Sequence, residues 1–155
     1  MKPPKLNVVL IEPEIPQNTG SIGRLCLATG SALHLVKPLG FSIDAQALKR
    51  AGLDYWEHLE LKVHESTDRF FESLPKEAHL ILIETRAGRT IFETDFPDGS
   101  YLIFGKETTG LSDWILNTYA GNLARIPMFD ARVRSLNLSN AVSIVVYEAI
   151  RQITQ

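Results

Sequence analysis

The feature that most limits the fold of this chain is a set of short apolar runs without polar alternation. Val8-Val9-Leu10-Ile11, Leu80-Ile81-Leu82-Ile83 and Tyr101-Leu102-Ile103-Phe104 are the clearest. A strand with one face in water alternates polar with apolar residues; one covered on both faces does not. The runs suggest buried strands over Leu6–Ile11, Ala32–Val36, His79–Glu84, Tyr101–Phe104 and Leu123–Ile126, with a weaker one over Leu59–Val63. Between them the apolar spacing turns helical. Helices are expected over Gln17–Thr29, over Asp44–Ala51 with Asp44 as N-cap, over Thr67–Leu74 and Ser112–Tyr119 behind hydroxyl caps, and over Ser139–Ile153. The expected fold is α/β, a mostly parallel sheet covered by helices on both faces.

The 155 residues suit one domain, and no repeat, linker or low-complexity tract divides 1–155. The apolar runs are too short to span a bilayer or to make a secretory signal. A single cysteine, Cys26, excludes an internal disulfide and a cysteine-rich metal site. The four histidines are scattered without metal-ligand spacing, so no metal is expected. A cytoplasmic protein with no membrane partner is expected. Sixteen basic and eighteen acidic residues give a net charge of −2. The charge is unevenly spread: residues 1–56 and 120–155 are each +2, and 57–119 are −6. If the two ends meet in space, a modest positive surface could face a polyanion.

In parallel sheets, ligands bind beyond the carboxyl ends of the strands. The stretch after the first strand, Glu12-Pro13-Glu14-Ile15-Pro16-Gln17-Asn18-Thr19-Gly20, lacks the glycine fingerprint of a dinucleotide site. The turn Gly105 to Leu111 has two glycines five apart, but Leu111 stands where a phosphate loop needs lysine. Alone, this turn reads as one chosen for backbone geometry. Arg24 is set opposite the apolar stripe of its helix, with Gly20 and Gly23 flanking its side. Two helical glycines are costly, and suggest that another backbone, a partner subunit or bound chain, comes close. Arg132 and Arg134 precede Ser135, Asn137, Ser139 and Asn140, polar groups at a helix entrance that capping could explain in part. The last helix carries a wide apolar stripe and, opposite it, Asn140, Tyr147 and Arg151, with Ser143 and Ile144 among them. Such a helix suggests protein contacts on both sides, as in a dimer.

Three stretches together resemble the motifs of the SPOUT methyltransferases, SpoU branch. They are Asn18-x-Gly20-x-x-x-Arg24, Phe104-Gly105-x-Glu107-x-x-Gly110-Leu111, and Ile126-Pro127-Met128 followed by Ser135-Leu136-Asn137-Leu138-Ser139-Asn140-Ala141-Val142-Ser143. The resemblance spans almost the whole chain. With Glu12 to Gly20, Arg50-Ala51-Gly52-Leu53-Asp54-Tyr55 and no sequence for an RNA-binding appendage, it is nearest to the small members that methylate the ribose 2′-hydroxyl of the tRNA wobble nucleotide. It implies a C-terminal trefoil knot, S-adenosylmethionine as methyl donor, tRNA as substrate and a homodimer. It implies cofactor binding by Ile83, Gly105, Ile126, Ser135 and Leu136, a catalytic role for Arg24, and RNA contact by Arg134 and Tyr147, with Arg132 an alternative to Arg134. Another tRNA nucleotide, ribosomal RNA, or a non-catalytic RNA-binding module are the competing readings.

Overall fold

The computed structural model describes residues 1–43, 46, 50 and 53–155. Apart from residues 46 and 50, the helix expected over Asp44–Ala51 lies outside the described residues. Six strands form one sheet: β1 (Asn7–Ile11), β2 (Ala32–Val36), β3 (Leu61–His64), β4 (Leu80–Ile83), β5 (Tyr101–Phe104) and β6 (Leu123–Ala124). Their order is β3-β2-β1-β5-β4-β6, and every pairing is parallel. Four helices with described bounds pack around the sheet: α1 (Pro16–Thr29), α2 (Thr67–Ser73), α3 (Asp113–Thr118) and α4 (Leu138–Thr154).

The unalternating runs are explained by two cores, one on each face. Val8 and Leu10 of β1 point to one face, where they join Leu33, Leu35, Ile81, Leu102 and Phe104. There α1 supplies Ile22 and Cys26, one turn apart, and α4 supplies Val142, Val145, Val146 and Ala149. Val9 and Ile11 point to the other face and pack with Val36, Leu82 and Ile103 under Phe70 of α2 and Ile115 of α3. Each buried Val, Leu, Ile or Phe among them stabilises the fold by roughly 1.5–3 kcal/mol.

Local signals set the helix ends. Ser66 Oγ accepts from the amide of Arg69 at 3.1 Å, and Ser112 Oγ from that of Ile115 at 3.3 Å. Asn137 Oδ1 accepts from the amides of Ser139 and Asn140 and so caps α4. Gly30, with φ +70°, ends α1 in the left-handed conformation that favours glycine.

Two strands differ from expectation. β3 is an edge strand, and Lys62 and Val63 are exposed. β6 stops at Ala124 because the chain changes partner. The Arg125 amide bonds Arg89 O at 2.9 Å, Arg125 O accepts from Ile91, and the guanidinium bonds the carbonyls of Ala87 and Gly88. Extended backbone therefore continues beyond β6, against the 87–91 loop and not against β4.

Candidate active site

The loops beyond β4, β5 and β6 enclose a cavity of about 510 Å³. Ile83, Gly105, Ile126, Ser135 and Leu136 all line it, so the structure brings these five residues together. Phe104, Leu138 and Met128 add apolar wall; Asn18, Glu84, Arg86, Lys106 and Glu107 add polar groups.

Hydrogen bonds join the three motifs beside this cavity. Both oxygens of Glu107 accept backbone N–H bonds, from Glu14 and Ile15, each at 2.8 Å. Asn18 Nδ2 donates to Glu107 Oε2 at 3.2 Å, and Asn137 Nδ2 donates to Asn18 Oδ1 at 3.2 Å. Glu107 thus ties the chain entering α1 to the turn after β5, and Asn18 ties that turn to the start of α4. No side chain caps α1 at its N-cap Ile15; the carboxylate of Glu107 serves the amides just ahead of it. A return bond runs from Thr108, whose amide and hydroxyl both donate to Glu14 Oε1. Those two bonds hold the Glu14 carboxyl below its ordinary pKa. Glu12, in a left-handed conformation at φ +52°, pairs with Lys106 at 3.4 Å.

Gly105 is required by the turn itself. A Cβ there would stand 2.2 Å from Gly110 C and 2.3 Å from Leu111 N. The turn folds back on itself, closed by the Gly110 amide on Lys106 O at 2.9 Å, with Gly110 at φ +69°. The close approach at Gly23 is likewise internal. A Cβ on Gly23 would meet the Trp56 ring at 2.6 Å, so a side chain of the same chain fills the space attributed to a foreign backbone.

Arg24 is exposed on α1 and is not among the residues lining the cavity. Its guanidinium lies over the Tyr55 ring, 5.1 Å from the centroid. Arg132 is held by Asp130, with Nη2 to Oδ2 at 2.6 Å, whereas Arg134 is exposed with no bonding partner among the described residues. Tyr147 is 54% exposed on the outer face of α4. Asn140, Ile144 and Arg151 share that face and are exposed, with no described residue covering them. The Asn137 side chain caps its helix, as a structural reading of the polar stretch requires, and in addition bonds across to Asn18.

The histidines serve packing or lie on the surface. His34 is buried, with Nδ1 2.9 Å from His64 Nε2 and Nε2 3.0 Å from Asn7 Oδ1. The Asn7 amide group donates to Gly99 O, so its oxygen faces His34. His34 Nε2 therefore carries the proton, and His34 Nδ1 accepts from His64. Among the described residues, no group of three or more His, Cys, Asp or Glu could hold a metal ion, and no helix is long and apolar enough to cross a membrane.

The model of the SpoU rRNA methylase family matches residues 5–147. The chain belongs to that family. Among SpoU relatives, the tRNA (cytidine(34)-2′-O)-methyltransferase of Yersinia pestis is 48% identical over 153 residues, covering 96% of this chain and 94% of that one. A solved structure described as giving structural insights into the 2-OH methylation of C/U34 on tRNA superposes with a TM-score of 0.95 at 44% identity, covering 99% of both chains. The SpoU methyltransferase AviRb from Streptomyces viridochromogenes, in complex with the cofactor AdoMet, superposes with a TM-score of 0.83 at 26% identity, over 98% of this chain and 62% of that one.

Proposed function

We propose that this SpoU-family chain transfers the methyl group of S-adenosylmethionine to the ribose 2′-hydroxyl of the tRNA wobble nucleotide, cytidine or uridine 34. The observation that carries the reading is the end-to-end likeness to the structure concerned with C/U34 methylation, with motif residues gathered at one cavity. In the same reading the chain is a single domain over 1–155, knotted near its C-terminus, and works in the cytoplasm as a homodimer.

The cavity fits the methyl donor. Its volume of about 510 Å³ suits a nucleoside with a short side chain, and apolar walls meet backbone groups at the strand ends. Ile83, Gly105, Ile126, Ser135 and Leu136 would hold it. S-adenosylmethionine supplies an electrophilic methyl group on sulfur. The chain has two tasks: to align the ribose oxygen with that methyl, and to ease loss of the hydroxyl proton.

Arg24 is assigned the second task. A guanidinium keeps its proton, because its pKa exceeds about 12. It therefore acts as a donor, anchoring the neighbouring phosphate or stabilising negative charge as it builds on the ribose oxygen. Because Arg24 does not line the cavity of its own chain, a second copy delivers it, and each site is shared. Arg134, without a carboxylate partner among the described residues, and the exposed ring of Tyr147 are assigned to RNA contact; Asp130 already engages Arg132.

The test is nucleoside analysis of unmodified tRNA incubated with the protein and S-adenosylmethionine. A 2′-O-methyl group at position 34, absent with Arg24→Ala, is expected. Methylation at another nucleotide, on ribosomal RNA, or on a base would overturn the assignment.

A further inference from the structure

Glu84 lines the cavity and has no part in the network described above. It directly follows β4, and its amide donates to Ala124 O at 3.0 Å, which fixes its backbone against β6. Its side chain is only 12% exposed. One oxygen, Oε1, accepts from Arg86 Nε at 2.7 Å and from the Arg86 amide at 3.4 Å. The other, Oε2, has no donor within bonding distance among the described residues. The cavity's second carboxylate, Glu107, has both oxygens taken by backbone amides. Glu84 is thus the cavity carboxylate with an oxygen that solvent can reach and that no described protein group engages, an acceptor left open to a bound ligand.

We propose that Glu84 accepts hydrogen bonds from the vicinal hydroxyls of the ribose of the nucleoside bound in the cavity. This rests on the S-adenosylmethionine reading above. A carboxylate at the carboxyl end of a parallel strand is well placed for a ribose diol. The ligand's other strong donor is its ammonium group. Bonded to Glu84, that group would sit beside the Arg86 guanidinium and be repelled. A neutral hydroxyl meets no such penalty.

The test is a ligand-and-protein cycle read by titration calorimetry, independent of RNA and turnover. S-adenosylhomocysteine, its 2′,3′-dideoxy analogue and 5′-methylthioadenosine are titrated into wild type and Glu84→Ala. A charge-assisted hydrogen bond predicts a roughly ten- to hundredfold loss of affinity for S-adenosylhomocysteine in Glu84→Ala. Methylthioadenosine, which lacks the amino acid, loses as much. The dideoxy analogue binds both proteins equally. Glu84→Gln, which keeps an acceptor for Arg86, gives an intermediate loss. Equal weakening of the dideoxy analogue makes Glu84 a support for the loop and overturns the proposal. A loss confined to S-adenosylhomocysteine assigns Glu84 to the ammonium group and also overturns it. Unchanged affinity throughout does the same. Failure of wild type to bind S-adenosylhomocysteine removes the cofactor reading itself, and this inference with it.

Discussion

Replacing Glu107 tests whether its carboxylate holds the site together. Two backbone amides and the Asn18 side chain donate to it. In Glu107→Ala all three lose their acceptor. A hydrogen bond to a charged group contributes about 1.5–3 kcal/mol; the setting is only partly buried, so the low end applies and the amide pair amounts to about 3 kcal/mol. For a chain of this length 1 kcal/mol moves Tm by about 2–4 °C, so Glu107→Ala should melt about 6–12 °C lower. Glu107→Gln is the more informative variant. Its amide oxygen can serve one backbone N–H, but its NH2 group then faces the other donors. It should lose roughly half as much stability as Glu107→Ala. Calorimetric melting at neutral pH measures both, and titration with S-adenosylhomocysteine should show weaker binding in each, because the 105–110 turn loses its tether to α1. If Glu107→Gln melts within about 1 °C of wild type, water replaces the carboxylate without penalty and the reasoning fails.

Three further outcomes are expected. Gly105→Ala places a Cβ 2.2 Å from backbone that cannot move aside, so it should destabilise by about 1–3 kcal/mol or more and weaken cofactor binding; a wild-type melting temperature would contradict the close approach. Arg24→Ala removes an exposed side chain and should change stability by less than about 0.5 kcal/mol with cofactor affinity intact, while methyl transfer falls by orders of magnitude. Mixed under subunit exchange with an inactive, cavity-filling Leu136→Trp, it should regain about a quarter of wild-type activity if sites are shared, and none if each chain is self-sufficient. The third outcome concerns acid. Burial, with His64 and Lys62 nearby, pushes the His34 pKa down from 6.5 to about 4, so the unfolded chain binds a proton that the folded chain refuses. That stability is fully present above pH 6.5 and is lost as pH falls towards about 4, by roughly 3 kcal/mol in all. His34→Gln should flatten this limb of the melting profile; an unchanged slope would exclude His34 as its source.

The strands were legible because both faces of the sheet are covered, which leaves uninterrupted apolar runs in β1, β4 and β5. β2 and β5 follow the expected bounds residue for residue. β6 was over-read because residue type does not reveal that pairing shifts from β4 to the 89–91 loop at Arg125. Gly23 was misread for a related reason. Gly23 signals close approach, but the approaching group, Trp56, is set by tertiary packing and not by local pattern. At Gly105 a turn chosen for its backbone was one of the readings, and it is borne out, because an added Cβ would stand 2.2 Å from Gly110 C.

What no local reading could supply is the joining of the motifs. Asn18 and Glu107 are 89 residues apart, and Asn18 and Asn137 are 119 apart. Each residue type has a bland local explanation: a helical amide, a turn carboxylate, an N-cap. Only the order β1-β5-β4 brings the carboxyl end of β1 beside that of β5, so that Glu107 can reach the chain entering α1. The cavity walls at 83–86, 104–110 and 126–138 each carry local bonds, such as that of the Gly110 amide to Lys106 O, but none of these bonds brings one wall to another. The site therefore completes only when β5 has joined β1 and the start of α4 has docked on Asn18. A ligand that needs all these walls binds the folded chain and not its fragments, so its binding energy adds to global stability as RT ln(1 + [L]/Kd). The polar bonds between motifs then act twice, shaping the cavity and coupling its occupancy to the whole fold.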